Sequence, residues 1–465
     1  MCSVRHTSPV GHVTRQSSGP VHWAERKRRS QMSLLSGSAN QPTLPSEEAE
    51  AHGFLDPGTG FVAVLALAST LLFGALLSVG ILTLPLQATA IDAATSTTTI
   101  AIANGFAGVA ALVLNPVVGR LSDRTSSRWG RRRPYLVAGA LLVVLGGLLV
   151  VVAGSVLTLA LGWLVMTLGQ IAGLTALGAL VPDLFSPERR GPVSALFGVA
   201  GTAGAVVGLF VASLFSPHLA PMVLVPAALA AVAMLLMAVV APSVGTAAPA
   251  EPSRGAGVKG LVSTFWVSPR RYPDFALAFF SRFAVFCAIA AVNAYQAVYL
   301  IADLHVDPVD VAGRVFLSTL VLGVTALVFS TVLGRVSDKV GRRKPFVIVS
   351  ALIFAVGLAL VASANSFGEF LIASAVMGLG QGVYLAVDFA LITQVLPDPA
   401  NPAKDLGIMN LAMSLPNIVV PVVAPTLLAI GAAAGSPGNF SLFFGVAAVV
   451  GLVGAVLIVP VRGAR

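Results

Sequence analysis

The sequence predicts an all-α integral membrane protein, and three observations carry that reading. The chain of 465 residues is 56% hydrophobic and only 10% charged, where a soluble domain carries about 25% charged side chains. So few charges cannot cover a water-facing surface, so most of the surface must meet lipid. From Phe61 onward, apolar runs of about 20 residues alternate with short loops, the length that spans a hydrocarbon core. Finally, the basic stretch Gly119–Pro134, GRLSDRTSSRWGRRRP, returns as Gly334–Pro345, GRVSDKVGRRKP. The chain is therefore a duplication: twelve transmembrane helices in two pseudo-symmetric six-helix bundles.

The apolar runs cover residues 61–86, 98–118, 134–154, 158–181, 193–215, 221–241, 273–301, 312–333, 345–363, 369–394, 407–431 and 440–460. Residues 1–58 are polar, rich in Ser, Pro and His with a basic knot at Glu25–Ser30. They read as a disordered cytoplasmic tail without the apolar core of a signal peptide. The knot is either a contact for anionic lipid heads or simply solvated. Residues 59–241 form the first half. Residues 242–272, rich in Ala, Pro, Gly and Ser, form a cytoplasmic linker, and 273–465 form the second half.

Orientation follows from Lys and Arg, which accumulate on the cytoplasmic side. The loops after runs 2, 4, 6, 8 and 10 hold 6, 2, 4, 5 and 1 of them, whereas Arg314 stands alone in the loops between. Both termini are expected in the cytoplasm of a cell-membrane protein. The duplication extends beyond the basic loops. Asp123 and Asp338 are 215 positions apart, Leu168-Gly169-Gln170 answers Leu379-Gly380-Gln381, and Val181-Pro182-Asp183 answers Leu396-Pro397-Asp398. Repeated halves with a site between them near mid-membrane mark a secondary transporter.

Other classes fall away. The net charge of +9 sits in loops and the tail, which argues against nucleic acid as a partner. Cys2 and Cys287 do not make a disulfide framework. The six histidines are scattered, so no metal site or cofactor is expected. No nucleophile–base constellation or phosphate loop suggests an enzyme.

Polar side chains are distributed with a three-fold rhythm. Runs 3, 6, 9 and 12 are almost wholly aliphatic and suit lipid. Runs 1, 4, 7 and 10 carry Thr83 and Gln87; Thr167, Gln170 and Thr175; Arg282, Asn293, Tyr295 and Gln296; and Gln381, Tyr384, Asp388, Thr393 and Gln394. Runs 2 and 11 add Asn104, Asn115, Asn410 and Asn417. Facing lipid would be costly, so these groups must face protein or a watery cavity. Each single amide is also compatible with a helix-to-helix hydrogen bond. The set names Asn104, Gln170, Asn293, Tyr295, Gln296, Gln381 and Tyr384 as candidate substrate contacts, with Trp163 and Tyr299 as further aromatic candidates. Arg282 and Asp388 fall at similar depth in the cytoplasmic third of their runs. Two opposite charges are cheaper to bury together than apart, so they are candidates for a coupling pair, against a permanent structural bridge or snorkelling to the interface. Gly198, Gly201, Gly204 and Gly208 read as close packing. Pro416, Pro421 and Pro425 break the ladder of run 11, as a gate or as a static kink.

These residues resemble the major facilitator superfamily. The basic loops are similar to its signature Gly-x-Leu-x-Asp-Arg-x-Gly-Arg-Arg, and the resemblance covers about residues 60–460. SDRTSSRWGRRRPY resembles the first loop of the glycoside–cation and sucrose-type symporters, and Gly80–Gln87, GILTLPLQ, resembles the first helix of the sucrose-type group. The resemblance implies the major facilitator fold, alternating access and a cytoplasmic gate built from Gly119, Asp123, Arg124, Gly130, Arg131 and Arg132, and from Gly334, Asp338, Gly341, Arg342 and Arg343. In this scheme Asp123 sits near a helix N-terminus, and the arginines latch the two halves. One departure stands out: the sucrose-type symporters are expected to carry an acidic residue in the fourth helix, and Thr158–Val181 has none.

The expectation is a monomeric secondary transporter of a small polar solute. A sugar or glycoside is the favoured solute, and a proton or other cation the favoured driver. Efflux of an amphipathic compound is the alternative within transport. A non-transporting receptor or scaffold is the alternative outside it.

Overall fold

The computed structural model describes residues 54–125, 127–242, 267–341, 343–397, 402–432 and 438–461. The tail up to residue 53 and the linker from 243 to 266 lie outside them. Residues 54–58 were expected to belong to a free tail. Instead, Asp56 receives backbone N–H bonds from Ser186 and faces Arg189, while its own N–H donates to the Leu184 carbonyl.

Among the described residues, twelve helices are long and apolar enough to cross a membrane. They are α1 Thr59–Ile91, α2 Ser96–Arg124, α3 Arg133–Val151, α4 Val156–Leu184, α5 Pro187–Ser213, α6 Leu219–Val240, α7 Pro273–Ala302, α8 Pro308–Val340, α9 Lys344–Ser363, α10 Phe367–Ile392, α11 Pro402–Ala429 and α12 Phe440–Leu457. Most run further than the apolar pattern, because backbone hydrogen bonding continues past the greasy stretch until a cap or proline stops it. The Ser155–Thr158 capping box starts α4. Prolines in the first turn start α5, α7 and α8, where the missing N–H costs nothing. Gly341, at φ +67°, ends α8 in a left-handed conformation that disfavours other residues.

Prolines also disturb two helices internally. In α1 a π-helical turn covers Val79–Thr83, just ahead of Pro85. Pro85 has no N–H to offer the preceding turn, and the register slips so that the Leu84 N–H reaches back to Val79. In α11 the helix is interrupted at Leu415, directly before Pro416, leaving segments Pro402–Ser414 and Pro416–Ala429.

The duplication is visible in packing. Gly146 of α3 lies against Met166 of α4, and 211 positions later Gly357 of α9 lies against Met377 of α10. A side chain on either glycine would collide with the methionine. Helix α3 packs on α4 and α6, and α9 packs on α10 and α12. Outer faces of these peripheral helices present residues such as Leu141, Val239, Val349 and Val456, as a lipid-facing surface requires.

Between the two sets of six, the principal packing joins α2 to the second segment of α11, α5 to α8, and α1 to α7. The contacts cluster from mid-helix toward the end opposite the basic loops. There the Tyr295 hydroxyl reaches the carbonyls of Thr97 and Pro421, Ser216 donates to the Val309 carbonyl, and Phe210 meets Phe316. The first segment of α11, nearer the basic loops, packs instead on α7. The contacts between the two sets thus gather at the end opposite the basic loops.

Candidate functional site

A charge pair lies inside the apolar span, on the side of the basic loops. Arg282 Nη1 lies 3.0 Å from Asp388 Oδ2, and each side chain is only 8% exposed. Tyr384, buried one turn before Asp388 on α10, stands beside the carboxylate. Phe286, one turn after Arg282 on α7, places its ring 5.6 Å from the guanidinium and edge-on to Tyr384 at 6.3 Å. Arg282 Nη2 meets the Met413 sulfur on the first segment of α11. Its Nε is buried with no partner among the described residues. Three helices of the second half thus converge on two charges. Each charge compensates the burial cost of the other, and the guanidinium keeps spare donor capacity.

A second layer consists of amides. Gln170 and Gln381 occupy corresponding places in α4 and α10, both partly exposed, and neither bonds to protein among the described residues. Asn293 of α7 is likewise partly exposed and free of such bonds. An amide offers two donors and an acceptor, so these groups are available to a hydroxyl-bearing ligand. By helix rise the glutamines stand about 10 Å from the level of the charge pair.

Other expected contacts prove to be engaged elsewhere. Asn104 is consumed internally: its Nδ2 donates to the Ile100 carbonyl, and its Oδ1 receives the Trp163 indole N–H at 3.1 Å. Tyr295 is fully buried where α7 meets α2 and α11, against Phe443, and Gln296 is buried beside Ser318. Both were expected to face a ligand; Tyr295 instead lies in the contact between the helix sets, and Gln296 is turned to α8 within its own set. Tyr299 bonds to the carbonyls of Val361 and Ala364 and packs among Phe370, Phe440 and Phe444. Gln87 ties α1 to the Ala153 carbonyl. Each occupies a polar-rich helix but the wrong face or level, which residue type alone does not reveal.

At the loop end, the first basic loop folds into a charge network. Arg132, nearly buried, places Nε 2.8 Å from Asp183 Oδ2 and Nη1 2.9 Å from Asp123, and it also donates to Ser122. Arg131 reaches Asp183 at 3.1 Å. Arg124 is exposed. All these partners lie within the first six helices. Asp123 stands in the last turn of α2 rather than at a helix N-terminus. The helix dipole there disfavours a carboxylate, and Arg132 supplies the compensation. Gly130 has φ +92°, which explains a glycine before the arginines, whereas nothing crowds Gly119. Asp183 was legible only as a mark of duplication. A carboxylate ending a helix beside a six-arginine loop was the signal for its role.

In the second loop, Gly341 ends α8, Gly334 faces Ala386, and Arg343 precedes α9. The Asp338 side chain, Arg342 and Asp398 lie outside the described residues. One link repeats: Arg133 donates to the Ala241 carbonyl, and Lys344 donates to the Val461 carbonyl. Each staples the start of a peripheral helix to the end of its neighbour.

The family model of the Major Facilitator Superfamily matches residues 59–329 and 316–465, and the chain belongs to that family. It is 37% identical over 94 residues to the multidrug resistance protein MdtL of Klebsiella pneumoniae, covering 20% of this chain and 22% of that protein. It is 51% identical over 37 residues to the sucrose transport protein SUT1 of Oryza sativa subsp. japonica, covering 8% and 7%. The chain thus spans about a fifth or less of the length of these curated relatives. In three dimensions it is similar to a mutant of the nucleoside transporter NupG, with a TM-score of 0.70 at 14% identity over 86% of this chain and 100% of that one. It is also similar to a bacterial homolog of the human lysosomal transporter Spinster in an inward-facing, unoccupied conformation, with a TM-score of 0.64 at 15% identity over 86% and 94%. These structural likenesses show the fold. The chain is thus a multi-pass membrane protein of the Major Facilitator Superfamily.

Proposed function

We propose that the protein is a proton-coupled symporter of a small polar solute, a sugar or glycoside, acting in the cell membrane with both termini in the cytoplasm. The observation that carries the coupling is the Arg282–Asp388 pair, buried in the span and backed by Tyr384. Asp388 exchanges its arginine for a proton. When the proton arrives, the carboxyl becomes neutral and the guanidinium is released, its N–H donors free to seek other acceptors. When it leaves, the pair reforms. Such a carboxylate links protonation to the spacing of α7, α10 and the first segment of α11, the elements that meet at the pair. The sugar reading is supported by the unengaged amides of Gln170, Gln381 and Asn293 and by the short stretch similar to a sucrose transport protein. The charge network on Asp183 is the first half's share of a cytoplasmic latch, with Asp338 its counterpart.

Uptake of labelled sucrose, glucose and an aryl glucoside into proteoliposomes, with and without an imposed proton gradient, tests the reading. Uphill accumulation in wild type and its loss in Asp388→Asn, with downhill exchange retained, is the expected result. Full proton-driven accumulation by Asp388→Asn would end the coupling role. A second reading, efflux of an amphipathic compound, is favoured by the similarity to MdtL and by the thioether and ring of Met413 and Phe286 beside the charges. Gradient-driven extrusion of a lipophilic dye, with no sugar movement, would select it.

A further inference from the structure

We propose that Asp56 closes a clasp that couples the entry of α1 to the arginine network through the last turn of α4, a conformational device that holds whatever the cargo and driver. Asp56 has φ +40°, in the left-handed region that a residue other than glycine enters rarely. Pro57 follows it and restricts the preceding backbone further. Such a conformation persists only where its surroundings over-determine it. Here the N–H, the carbonyl and the carboxylate of the residue are all engaged. Its N–H donates to the Leu184 carbonyl at 3.0 Å. Its Oδ1 accepts the Ser186 N–H at 3.0 Å, and its carbonyl accepts from Arg189 Nη1 at the same distance. Arg189 Nη1 also stands 3.8 Å from Oδ1. Ser186 is the N-cap residue of α5, and its own side chain makes no capping bond. A carboxylate from ahead of α1 thus caps α5, where the helix dipole favours negative charge.

The turn that Asp56 grips is the one that holds the first basic loop. The Pro182 and Phe185 carbonyls accept from Arg190. The Asp183 carboxylate takes Arg131 and Arg132, and the Leu184 carbonyl takes the Asp56 N–H. The Phe185 ring meets Phe61 of α1 at 6.2 Å and lies under the Arg189 guanidinium. Pro182 removes a backbone bond from this last turn of α4, so its position depends on such ties to other segments. Asp183 and Leu184 are adjacent, and the planar peptide between them leaves little slack. Asp56 bonds to neither Arg131 nor Arg132, yet it fixes the backbone from which Asp183 reaches both. Opening the clasp therefore loosens the α2–α3 loop at a distance. Helix α5, capped by the same carboxylate, is also the one that meets α8 of the second set. The clasp thus makes the entry of α1, the first basic loop and a helix of the contact between sets move as one body.

Hydrogen–deuterium exchange of the full chain in detergent, read by mass spectrometry, tests the coupling. Asp56→Gly keeps the positive φ accessible and removes the carboxylate. Backbone exchange should rise about three- to tenfold, the scale of one lost hydrogen bond to a charged group. The rise should cover residues 185–190 and also 127–134, the loop that Asp56 does not touch. Asp56→Asn keeps an acceptor and tolerates the left-handed backbone, so it should recover most of the loop's protection. Arg189→Gln opens the clasp from its exposed side and should reproduce part of the loosening. If Asp56→Gly yields no folded protein, Arg189→Gln decides by the same pattern. Thermal midpoints give a second measure: the losses of Asp56→Gly and Asp183→Asn should combine to less than their sum, as expected of residues in one network. A rise in exchange confined to 185–190, with the loop unchanged, would reduce Asp56 to a local cap of α5 and overturn the coupling, and so would thermal losses that simply add.

Discussion

In the first six helices the charges gather at the loop end, where Arg131 and Arg132 close on Asp183 and Asp123. In the last six, an arginine and an aspartate lie within the apolar span itself. The residue 211 positions before Asp388 is Leu177, fully buried in the apolar core. Yet the packing of the two sets repeats, with Gly146 on Met166 and Gly357 on Met377. Small residues at helix crossings preserve a backbone plan, because any side chain there forces the helices apart. Polar residues on the inner faces are free to diverge, because a cavity does not dictate their identity. The duplicated chain thus kept its frame and divided its charges: an arginine–aspartate network at the loop end of one half, a buried pair within the span of the other.

The largest effect is expected where the frame is tightest. A side chain at Gly208 would enter the Gly74 backbone across α1 and α5, whereas Gly198 faces open space. Gly208→Val should yield no monodisperse protein on size exclusion in detergent, and Gly198→Ala should behave as wild type. Equal yields would show that α1 and α5 are not held by close packing.

Next comes the buried pair of the second half. Arg282→Ala strands the Asp388 carboxylate and should cost about 3–5 kcal/mol of stability. Combining Arg282→Met with Asp388→Leu should restore most of it, since two apolar residues of similar size leave no charge behind. Thermal unfolding of the double variant beside Arg282→Met and Asp388→Leu alone distinguishes a coupled pair from two independent side chains, for which the losses would add.

A smaller effect should separate the two carboxylates of the first half. Asp183 is 13% exposed and serves two arginines, while Asp123 is 65% exposed and serves one. Asp183→Asn should lose about 1–3 kcal/mol, and Asp123→Asn less than about 1 kcal/mol. The reverse ranking, again by thermal unfolding, would move the centre of the network to Asp123.

The smallest effect tests the equivalence of the halves directly. Arg133→Gln and Lys344→Gln each remove one charged donor to a carbonyl, worth about 1.5–3 kcal/mol at most and less where solvent reaches the bond. Similar losses in the two would mark the staple as part of the shared frame. A loss confined to one would assign it to that half's own chemistry.

Much of this was determined by sequence alone. Span number follows from hydrophobic length, because lipid demands about 20 apolar residues whatever the neighbours do. The repeat is legible because the loops carry it residue by residue, from Asp123 to Asp338 and from Gly130 to Gly341. Arg282 and Asp388 stood out because charge is rare within a span. Their contact was another matter, as they are 106 positions apart on α7 and α10, and only the crossing of those helices decides it. The same holds for the face each polar group takes. Gln170 and Gln381 make no bond to protein among the described residues, while Tyr295, equally polar on paper, closes against the other helix set, and Gln296 turns to Ser318 within its own. A helix turns 100° with each residue, so a polar residue's neighbour is set by rotation and crossing. Those are properties of the packed bundle, and composition along a single span does not encode them.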